Sequence, residues 1–464
     1  MTAFPELDLA AARAEAAFDE YRSTDPTARA AFLDAIAAGI EALGDRLVDT
    51  VAAETRFPAA RAASERARTC GQLRMFARLV ESGDWQGVRV EPALPDRTPP
   101  RPDLRLRRIP LGPVAVFGAS NFPLAFSVAG GDTAAALAAG APVIVKAHEA
   151  HAETSALVGE AIRAAVAAAG LPEGVFGLLF GPGRTLGQAL VAHRAIKAVG
   201  FTGSRAAGLA IAATAAARPE PIPVYAEMSS VNPVFVLPGA LAARPAELAR
   251  GLVASATLGA GQFCTNPGLV FIPESDGRDA FLDTAAADLE ASAAQPMLTP
   301  AIRESYLEGV ERLAAVPGVR VLARGGGDPA PALLHTDGAT FLAEPSLREE
   351  VFGSATLIVT AGPAELDAIL DALEGQLTAT VQASPDDRAA AARLLPRLEL
   401  MAGRIVFGGW PTGVEVGPAT VHGGPFPATT DSRSTSVGTL AIDRFLRPVA
   451  YQDAPAELLP PELR

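Results

Sequence analysis

From Pro113 onward, short apolar runs alternate with longer helical segments, and this alternation constrains the fold more than any other feature of the chain. PVAVFG is followed by an Ala-rich helical stretch to Ala139, and PVIVK by another to Ala169. VFGLLF, AVGF, PVYAE and PVFVL continue the series of apolar runs. Strand, helix and strand in this order predict right-handed crossovers and a parallel sheet. The chain is therefore predicted to be an α/β protein.

Other segments complete the organisation of the chain, whose 464 residues suffice for two or three domains. Residues 7–81 are Ala-rich with a helical period, and Asp25 before Pro26 is typical of a helix N-cap. The proline-rich stretch 90–113 is predicted to be extended, since its prolines exclude a helix. The glycine- and proline-rich stretch 408–438 has no clear period. A second α/β region is predicted between the run PVFVL and the stretch 408–438. It has helices over 240–260 and 278–294, a strand over 268–272, and strands near residues 378 and 403.

Charge and cysteine content exclude several classes of protein. The chain has 39 Lys and Arg against 52 Asp and Glu, a formal charge of −13, and no basic run suited to nucleic acid or an anionic membrane. No stretch reaches the roughly 18 apolar residues that span a bilayer, and the start carries no signal-peptide pattern, so we expect a cytoplasmic protein. Cys70 and Cys264 lie far apart and form no CxxC or Cys/His ligand set, so neither a disulfide nor a metal site is predicted.

Three residue types suited to catalysis occur in well-defined local patterns. Cys264, in GQFCTNPG, lies in a glycine-flanked turn where backbone N–H groups could approach a reacting atom, although a lone cysteine is more often buried and inert. Glu227 ends the strand PIPVYAE, where a buried carboxylate is costly unless it is paired or functional. Asn121, in FGASNFP, follows a strand at the edge where α/β proteins bind ligands, and a loop-capping role would also explain it.

Polar residues also follow the strand PVIVK. Lys146 and Glu149 could reach ribose hydroxyls or a phosphate, or could be a solvated strand end. His148 and His151 form an HxxH pattern, but no further ligands cluster with them and a metal site is not indicated.

Six motifs in order resemble the aldehyde dehydrogenase superfamily, from about residue 10 to the C-terminus. They are NFP (121–123), VIVK (143–146), FTGS (201–204), Glu227 in AEMSSVNP, GQFC (261–264) and EEVFG (349–353). Within that superfamily, FGASNFPLAFSVAGGDTAAALAAG and VHGGPFPATTDSRSTSVGT are most similar to 2-oxoglutarate semialdehyde (2,5-dioxopentanoate) dehydrogenases. The start of the chain is shorter than is usual in the superfamily, and we expect it to lack the leading strand.

The resemblance implies a covalent mechanism. Cys264 would attack the aldehyde carbon, and the Asn121 amide with the Cys264 backbone N–H would hold the oxyanion. Glu227 would then activate the water that hydrolyses the thioester. His422, in VHGG, matches a histidine near the catalytic cysteine of NADP-dependent relatives, where proton transfer and a structural role are both open.

The resemblance also implies a nicotinamide dinucleotide, NAD or NADP. Lys146 and Glu149 would hold the adenosine ribose, and Gly203 and Ser204 the pyrophosphate at a helix N-terminus. A glutamate at position 149 would repel a 2′-phosphate, which favours NAD, whereas Arg184 in FGPGRT matches an arginine of NADP-dependent relatives. NAD is preferred and dual use stays open. The other residues assigned to this cofactor site are Phe117, Phe201, Glu350 and Phe352.

For the substrate, an omega-oxo acid needs a cation for the carboxylate at the end opposite its aldehyde. The helix ERARTCGQLRMF (65–76) is predicted to line the substrate entrance, with Arg68 as the first candidate for binding the carboxylate and Arg66 or Arg74 as alternatives. The other explanation of these arginines is that they lie on a solvated helix face and bind no substrate. Phe122 is also assigned to the substrate site. Four other functions are weighed: a fatty or simple aldehyde dehydrogenase, a CoA-acylating enzyme, a non-catalytic nucleotide-binding relative and a Cys-His hydrolase.

Domains and assembly follow from the same resemblance. It implies a Rossmann-like cofactor domain (1–90 and 111–227), an α/β catalytic domain (228–423) and a small oligomerisation element (91–110 and 440–464). Strands of the oligomerisation element would pair between subunits, so a homodimer or homotetramer acting on a small-molecule aldehyde is expected.

Overall fold

The structure, a computed structural model, describes residues 3–293 and 295–464. A layer of four helices opens the chain, and their bounds are Pro5–Arg22 (α1), Pro26–Ala42 (α2), Gly44–Thr55 (α3) and Ala59–Ser82 (α4). The Asp25 side chain accepts hydrogen bonds from the N–H groups of Thr27 and Ala28, which confirms the predicted N-cap. Two antiparallel strands follow, Arg89–Glu91 (β1) and Leu104–Pro110 (β2).

The first large sheet has five parallel strands in the order β5-β4-β3-β6-β7. Its strands are Val114–Phe117 (β3), Val143–Lys146 (β4), Phe176–Leu179 (β5), Ala198–Thr202 (β6) and Val224–Glu227 (β7). The helices between them are Gly131–Ala139 (α5), Ala152–Ala168 (α6), Gly183–Ala192 (α7) and Arg205–Ala216 (α8). Because helices cover such a sheet, its central strands are buried, which explains their continuous apolar sequences.

The second large sheet has seven strands in the order β10-β11-β12-β9-β8-β13-β14, and only the β10–β11 pair is antiparallel. Its strands are Val234–Val236 (β8), Leu269–Ile272 (β9), Arg320–Arg324 (β10), Ala332–Asp337 (β11), Ala355–Thr360 (β12), Gln376–Gln382 (β13) and Ala402–Phe407 (β14). The accompanying helices are Pro238–Ala243 (α9), Pro245–Thr257 (α10), Arg278–Glu290 (α11), Pro300–Ala314 (α12), Gly338–Ala343 (α13), Pro363–Ala372 (α14) and Arg388–Met401 (α15).

Two helix predictions in this region were wrong in extent. The helix predicted over 240–260 is two helices, because Arg244 leaves helical geometry (φ −147°, ψ 49°) immediately before Pro245. The helix predicted over 278–294 ends at Glu290, and residue 294 lies outside the described residues. The stretch 408–438, for which no period was found, contains neither a helix nor a strand.

A third sheet is small, with the order β1-β2-β15, and its last strand is Leu446–Gln452 (β15). Arg89 and Val90 belong to this sheet, whereas the sequence placed them at the end of the first cofactor-domain range, 1–90. Their side chains are exposed. Among the described residues, no helix is long and apolar enough to cross a membrane.

Candidate active site

Cys264 follows a turn of three consecutive left-handed residues. Gly259, Ala260 and Gly261 have φ angles of +57°, +59° and +64°. This conformation is costly for Ala260, by about 1–2 kcal/mol, and easy for glycine. A Cβ on Gly261 would come within 2.3 Å of the Gly353 carbonyl carbon, so no side chain fits there. The glycine-flanked turn expected from GQFC is therefore a sharp reversal that carries the chain from α10 to the cysteine.

Asn232 fixes this turn from the neighbouring segment, and the sequence analysis assigned it no role. Its Nδ2 donates to the carbonyl oxygens of Cys264 at 2.8 Å and Asn266 at 2.9 Å. The residue itself has a φ of +44°, a conformation in which asparagine is enriched. A fully buried amide with these two acceptors holds the cysteine loop against the start of β8.

Three of the four predicted catalytic side chains lie together, although they are far apart in sequence. The Sγ atom of Cys264 lies 3.2 Å from Nε2 of His422, and that nitrogen lies 2.8 Å from Oε1 of Glu227. Glu227 and His422 are buried and Cys264 is partly buried. The other Glu227 oxygen, Oε2, accepts a hydrogen bond from the Ser436 hydroxyl. A thiol, an imidazole and a carboxylate therefore share one small volume.

The surroundings of this group shift the pKa of the thiol and the pKa of the carboxylate in opposite directions. Burial and the Glu227 carboxylate raise the pKa of Cys264 well above its usual value, while Arg68 opposes the shift. For Glu227, burial acts to raise the pKa, but His422 and the Ser436 hydroxyl outweigh it and the pKa lies below its usual value. The resting site therefore holds a protonated thiol next to an ionised carboxylate, and the thiol needs a proton acceptor before it can attack.

Asn121 lies in the loop after β3, on the same side as Cys264. Its Nδ2 donates to the carbonyl of Gln262 at 3.1 Å, which leaves the second amide hydrogen available. Both Asn121 and Cys264 line a cavity of about 320 Å³, together with Gly203, Ser204 and Glu227. The cavity thus connects the ends of β6 and β7 with the thiol, as a site for two reactants requires.

Comparison with known proteins agrees with this geometry. Residues 4–420 match the aldehyde dehydrogenase family. The chain belongs to the aldehyde dehydrogenase family. It is 57% identical over 468 residues to alpha-ketoglutaric semialdehyde dehydrogenase 2 of Azospirillum brasilense, covering 99% of this chain and 89% of that protein. It is 48% identical over 467 residues to alpha-ketoglutaric semialdehyde dehydrogenase of Acinetobacter baylyi, covering 99% and 88%.

Solved structures show the same fold. Glyceraldehyde-3-phosphate dehydrogenase GapN of Methanocaldococcus jannaschii, complexed with NADP, superposes with a TM-score of 0.82 at 21% identity, covering 97% of this chain and 95% of that one. The predicted α/β fold with a Rossmann-like and a catalytic part is confirmed. This aldehyde dehydrogenase is an aldehyde-oxidising oxidoreductase, and its family uses NAD or NADP.

Most residues assigned to the dinucleotide lie at or just after the carboxyl ends of β3, β4, β5 and β6 in this dehydrogenase, whereas Glu350 and Phe352 precede β12. Ser204 is the N-cap of α8, where its hydroxyl accepts from the N–H of Ala207. The exposed N-terminal amides of such a helix suit a pyrophosphate. Glu350 and Phe352 line the same cavity as Cys264, and burial raises the pKa of Glu350 to about 7. The rings of Phe117 and Phe201 pack edge to face, 6.0 Å apart, and both are buried.

Lys146, Glu149 and Arg184 form the outer part of the predicted dinucleotide site. Lys146 Nζ lies 3.4 Å from Glu149 Oε1, which also accepts from the backbone N–H of Gly183 at 2.8 Å. The Gly183 N–H, followed by Lys146, lowers the pKa of Glu149, so its carboxylate is ionised. Arg184 is exposed in the first turn of α7 and directly follows Gly183, whose N–H donates to this carboxylate.

A second cavity, of about 620 Å³, is lined by α4 and by the stretch 414–418. Arg68 is on its wall and also interacts electrostatically with Cys264. Its guanidinium lies 5.5 Å from the centre of the Phe126 ring, and its buried Nε has no hydrogen-bond partner among the described residues. The two alternatives are engaged elsewhere: Arg66 donates to the Gly44 carbonyl, and Arg74 forms a bidentate pair with Glu41.

Two arginines near the catalytic loop were missed by the sequence analysis. Arg61 donates to the Asn121 carbonyl at 2.8 Å, and its guanidinium lies between the rings of Phe57, Phe122 and Phe263. Phe122, assigned to the substrate site, is thus part of an aromatic cluster with Phe263, 5.5 Å away. Arg404 interacts electrostatically with Cys264 and holds residues 411–413 through two backbone carbonyls.

The remaining candidates have structural roles. Cys70 faces α2, with its thiol against the Ala37 carbonyl, and burial raises its pKa to about 11. His151 is bonded to the Ala119 carbonyl and to Ser155, while Nδ1 of His148 accepts from the N–H of Ala150. The HxxH pattern therefore supports a loop in this enzyme.

Ser436 offers a test of how Glu227 is tuned. In Ser436→Ala the carboxylate loses a charge-assisted hydrogen bond, so we expect the acid limb of the kcat–pH profile to move up by about one unit. Ser434→Ala is the matched control, because that hydroxyl donates to the Asp431 carbonyl and not to Glu227. An unchanged acid limb in Ser436→Ala would show that this bond does not set the ionisation of Glu227.

Proposed function

We propose that this enzyme oxidises 2-oxoglutarate semialdehyde to 2-oxoglutarate, with NAD preferred over NADP. The observation that carries the substrate is Arg68, whose guanidinium lines the second cavity and lies 5.5 Å from the ring of Phe126. The Phe126 ring is in turn 6.4 Å from the imidazole of His422, which contacts Cys264. This substrate carries a carboxylate at one end and an aldehyde at the other. The arginine suits the carboxylate and the thiol suits the aldehyde. The names of the relatives at 57% and 48% identity support the same substrate.

The residues of the chain account for the steps before oxidation. His422 Nε2, 3.2 Å from Sγ, takes the thiol proton, and the sulfur then forms a bond to the aldehyde carbon. The carbonyl oxygen becomes an oxyanion, which the free Asn121 amide hydrogen and the Cys264 backbone N–H stabilise. In this intermediate, a thiohemiacetal, carbon still carries the hydrogen that must leave as hydride. The bound nicotinamide supplies the hydride acceptor.

The second half of the reaction depends on Glu227. Loss of hydride leaves a thioester on Cys264, and water must attack its carbonyl carbon. Glu227 accepts a proton from that water as the C–O bond forms, and the C–S bond breaks to release the acid and the sulfur. Its lowered pKa keeps the carboxylate ionised for this task. A base so close to the thiol also argues against transfer of the acyl group to CoA and against a non-catalytic role.

Arg68 is the test of the substrate. For Arg68→Gln we expect KM for 2-oxoglutarate semialdehyde to rise about 10- to 100-fold, the value of a charge-assisted pair to a carboxylate, with little change for an uncharged aldehyde. Arg66→Gln is the matched control on the same helix, since its guanidinium is engaged by the Gly44 carbonyl. An equal rise in KM for charged and uncharged aldehydes would contradict the assignment and favour the alternative, a fatty or simple aldehyde dehydrogenase.

Cofactor choice rests on the ionised Glu149. Its carboxylate would accept both ribose hydroxyls of NAD and repel the 2′-phosphate of NADP. In Glu149→Gln this repulsion is lost, and we expect kcat/KM for NADP to rise about tenfold relative to NAD. Glu153→Gln, an exposed glutamate in the first turn of α6, is the control. An unchanged NAD to NADP ratio would show that the Glu149 carboxylate does not set the cofactor preference.

We also propose a homodimer or homotetramer. Two strand edges that have no partner strand within the described residues support it: β14 at the edge of the seven-stranded sheet and β15 at the edge of the small sheet. Phe407, the last residue of β14, is 53% exposed, and Leu400, in the last turn of α15 just before that strand, is 82% exposed, which is unusual for large apolar side chains beside a strand edge.

A further inference from the structure

The catalytic side chains also form a set of metal ligands. Sγ of Cys264, Nε2 of His422 and a carboxylate oxygen of Glu227 all lie within 4.8 Å of one another. Thiolate, imidazole and carboxylate are the three ligand types that zinc takes in proteins. The positions 227, 264 and 422 have no motif spacing, so this ligand set exists only in the folded chain.

The ligand atoms are held in place, and part of their bonding capacity is unused. Although Glu227 Oε1 lies 2.8 Å from His422 Nε2, it has no aligned hydrogen bond within the described part of the chain. His422 is fixed through its backbone, with its N–H on Thr435 and its carbonyl accepting from Ser436 at 2.8 Å each. Ser436 also fixes Glu227. Because these side chains are already ordered, binding an ion here would cost little side-chain conformational entropy.

The cavity supplies access and a further ligand. Cys264 and Glu227 both line the volume of about 320 Å³, so an ion can approach with water as its fourth ligand. Zinc bonds of about 2.0–2.3 Å place neighbouring ligand atoms roughly 3.3–3.8 Å apart in a tetrahedron. The observed separations of 3.2 and 2.8 Å therefore need movements of less than about 1 Å.

We propose that Zn²⁺ binds this resting site through Cys264, His422 and Glu227 and reversibly inhibits the enzyme. The thiol proton passes to water as the Zn–S bond forms, and nothing is oxidised or reduced. The ion occupies the electron pairs of the nucleophile and of both proton acceptors, so attack on the aldehyde is blocked. The sulfur ligand selects against Mg²⁺ and Ca²⁺, which prefer oxygen.

Other features indicate an inhibitory ion and not a resident one. Metal-bound histidines usually donate their second ring nitrogen to a partner, whereas the buried Nδ1 of His422 has none among the described residues. The guanidinium groups of Arg68 and Arg404, which interact with Cys264, oppose a second cation and limit the affinity. Added chelator should therefore restore activity.

Cobalt and zinc titrations of the full chain without cofactor test this proposal. We expect one Co²⁺ per chain with a thiolate-to-cobalt charge-transfer band, displaced by Zn²⁺, and an affinity at least about tenfold weaker in His422→Asn. Cys70→Ser and His335→Asn are the controls and should bind like the unmodified chain. Thermal melting verifies that His422→Asn is folded.

Two results would overturn the inference: a cobalt complex without the thiolate band, or zinc affinity that is the same in a folded His422→Asn. The readout is binding, so it holds whichever aldehyde the enzyme oxidises.

Discussion

In Glu227→Gln, one equivalent of reduced cofactor per active site should form in a burst, after which steady-state turnover should be about 10³-fold slower than in the unmodified enzyme. The amide retains the shape of the carboxylate but cannot accept a proton from water. His422, 3.2 Å from Sγ, still takes the thiol proton, so the steps that form the thioester continue. The thioester then accumulates because its hydrolysis is slow.

Rapid mixing with absorbance at the reduced nicotinamide band measures the burst, and the mass of the Cys264 peptide after quenching identifies the thioester. Glu220→Gln is the control, because that glutamate pairs with Lys197 on the surface. If the burst disappears together with turnover, Glu227 acts before hydride leaves, and its assignment as the base for hydrolysis is wrong.

Cys264→Ala should lower kcat by about 10⁴-fold or more, with no burst, because the covalent route is lost. The variant should still bind the dinucleotide, since Ser204, Glu149 and Glu350 are unchanged. Cofactor binding followed by fluorescence titration therefore separates loss of chemistry from loss of fold. Cys70→Ser should retain full activity, because that thiol faces α2. Substantial aldehyde oxidation by Cys264→Ala would contradict the covalent mechanism.

The parallel strands could be predicted well because buried strands are continuous apolar runs, as in PVIVK and PVAVFG. The helix break at Arg244 was missed although Pro245, which disfavours helical geometry in the residue before it, indicates it in the sequence. The left-handed conformations of Gly259 and Gly261 could not be predicted from the sequence. Both depend on what the backbone packs against, such as the contact of Gly261 with Gly353.

The active-site residues also include some that the sequence identifies and some that only the fold identifies. Cys264, Glu227 and Asn121 occur in motifs that a family resemblance identifies, and the structure brings Cys264 and Glu227 together with His422. Asn232, Ser436 and Arg61 act through contacts with residues distant in sequence, so no local pattern distinguished them. For Arg68 the helix was predicted, but only the fold shows that Arg66 and Arg74 are engaged elsewhere.

Initial rates with 2-oxoglutarate semialdehyde, succinic semialdehyde and a long-chain aldehyde, each with NAD and with NADP, test the proposed substrate and cofactor. We expect the highest kcat/KM for 2-oxoglutarate semialdehyde with NAD, and loss of that activity in Cys264→Ala. A clear preference for the long-chain aldehyde would leave the family and the covalent mechanism intact but contradict the proposed substrate and the role of Arg68.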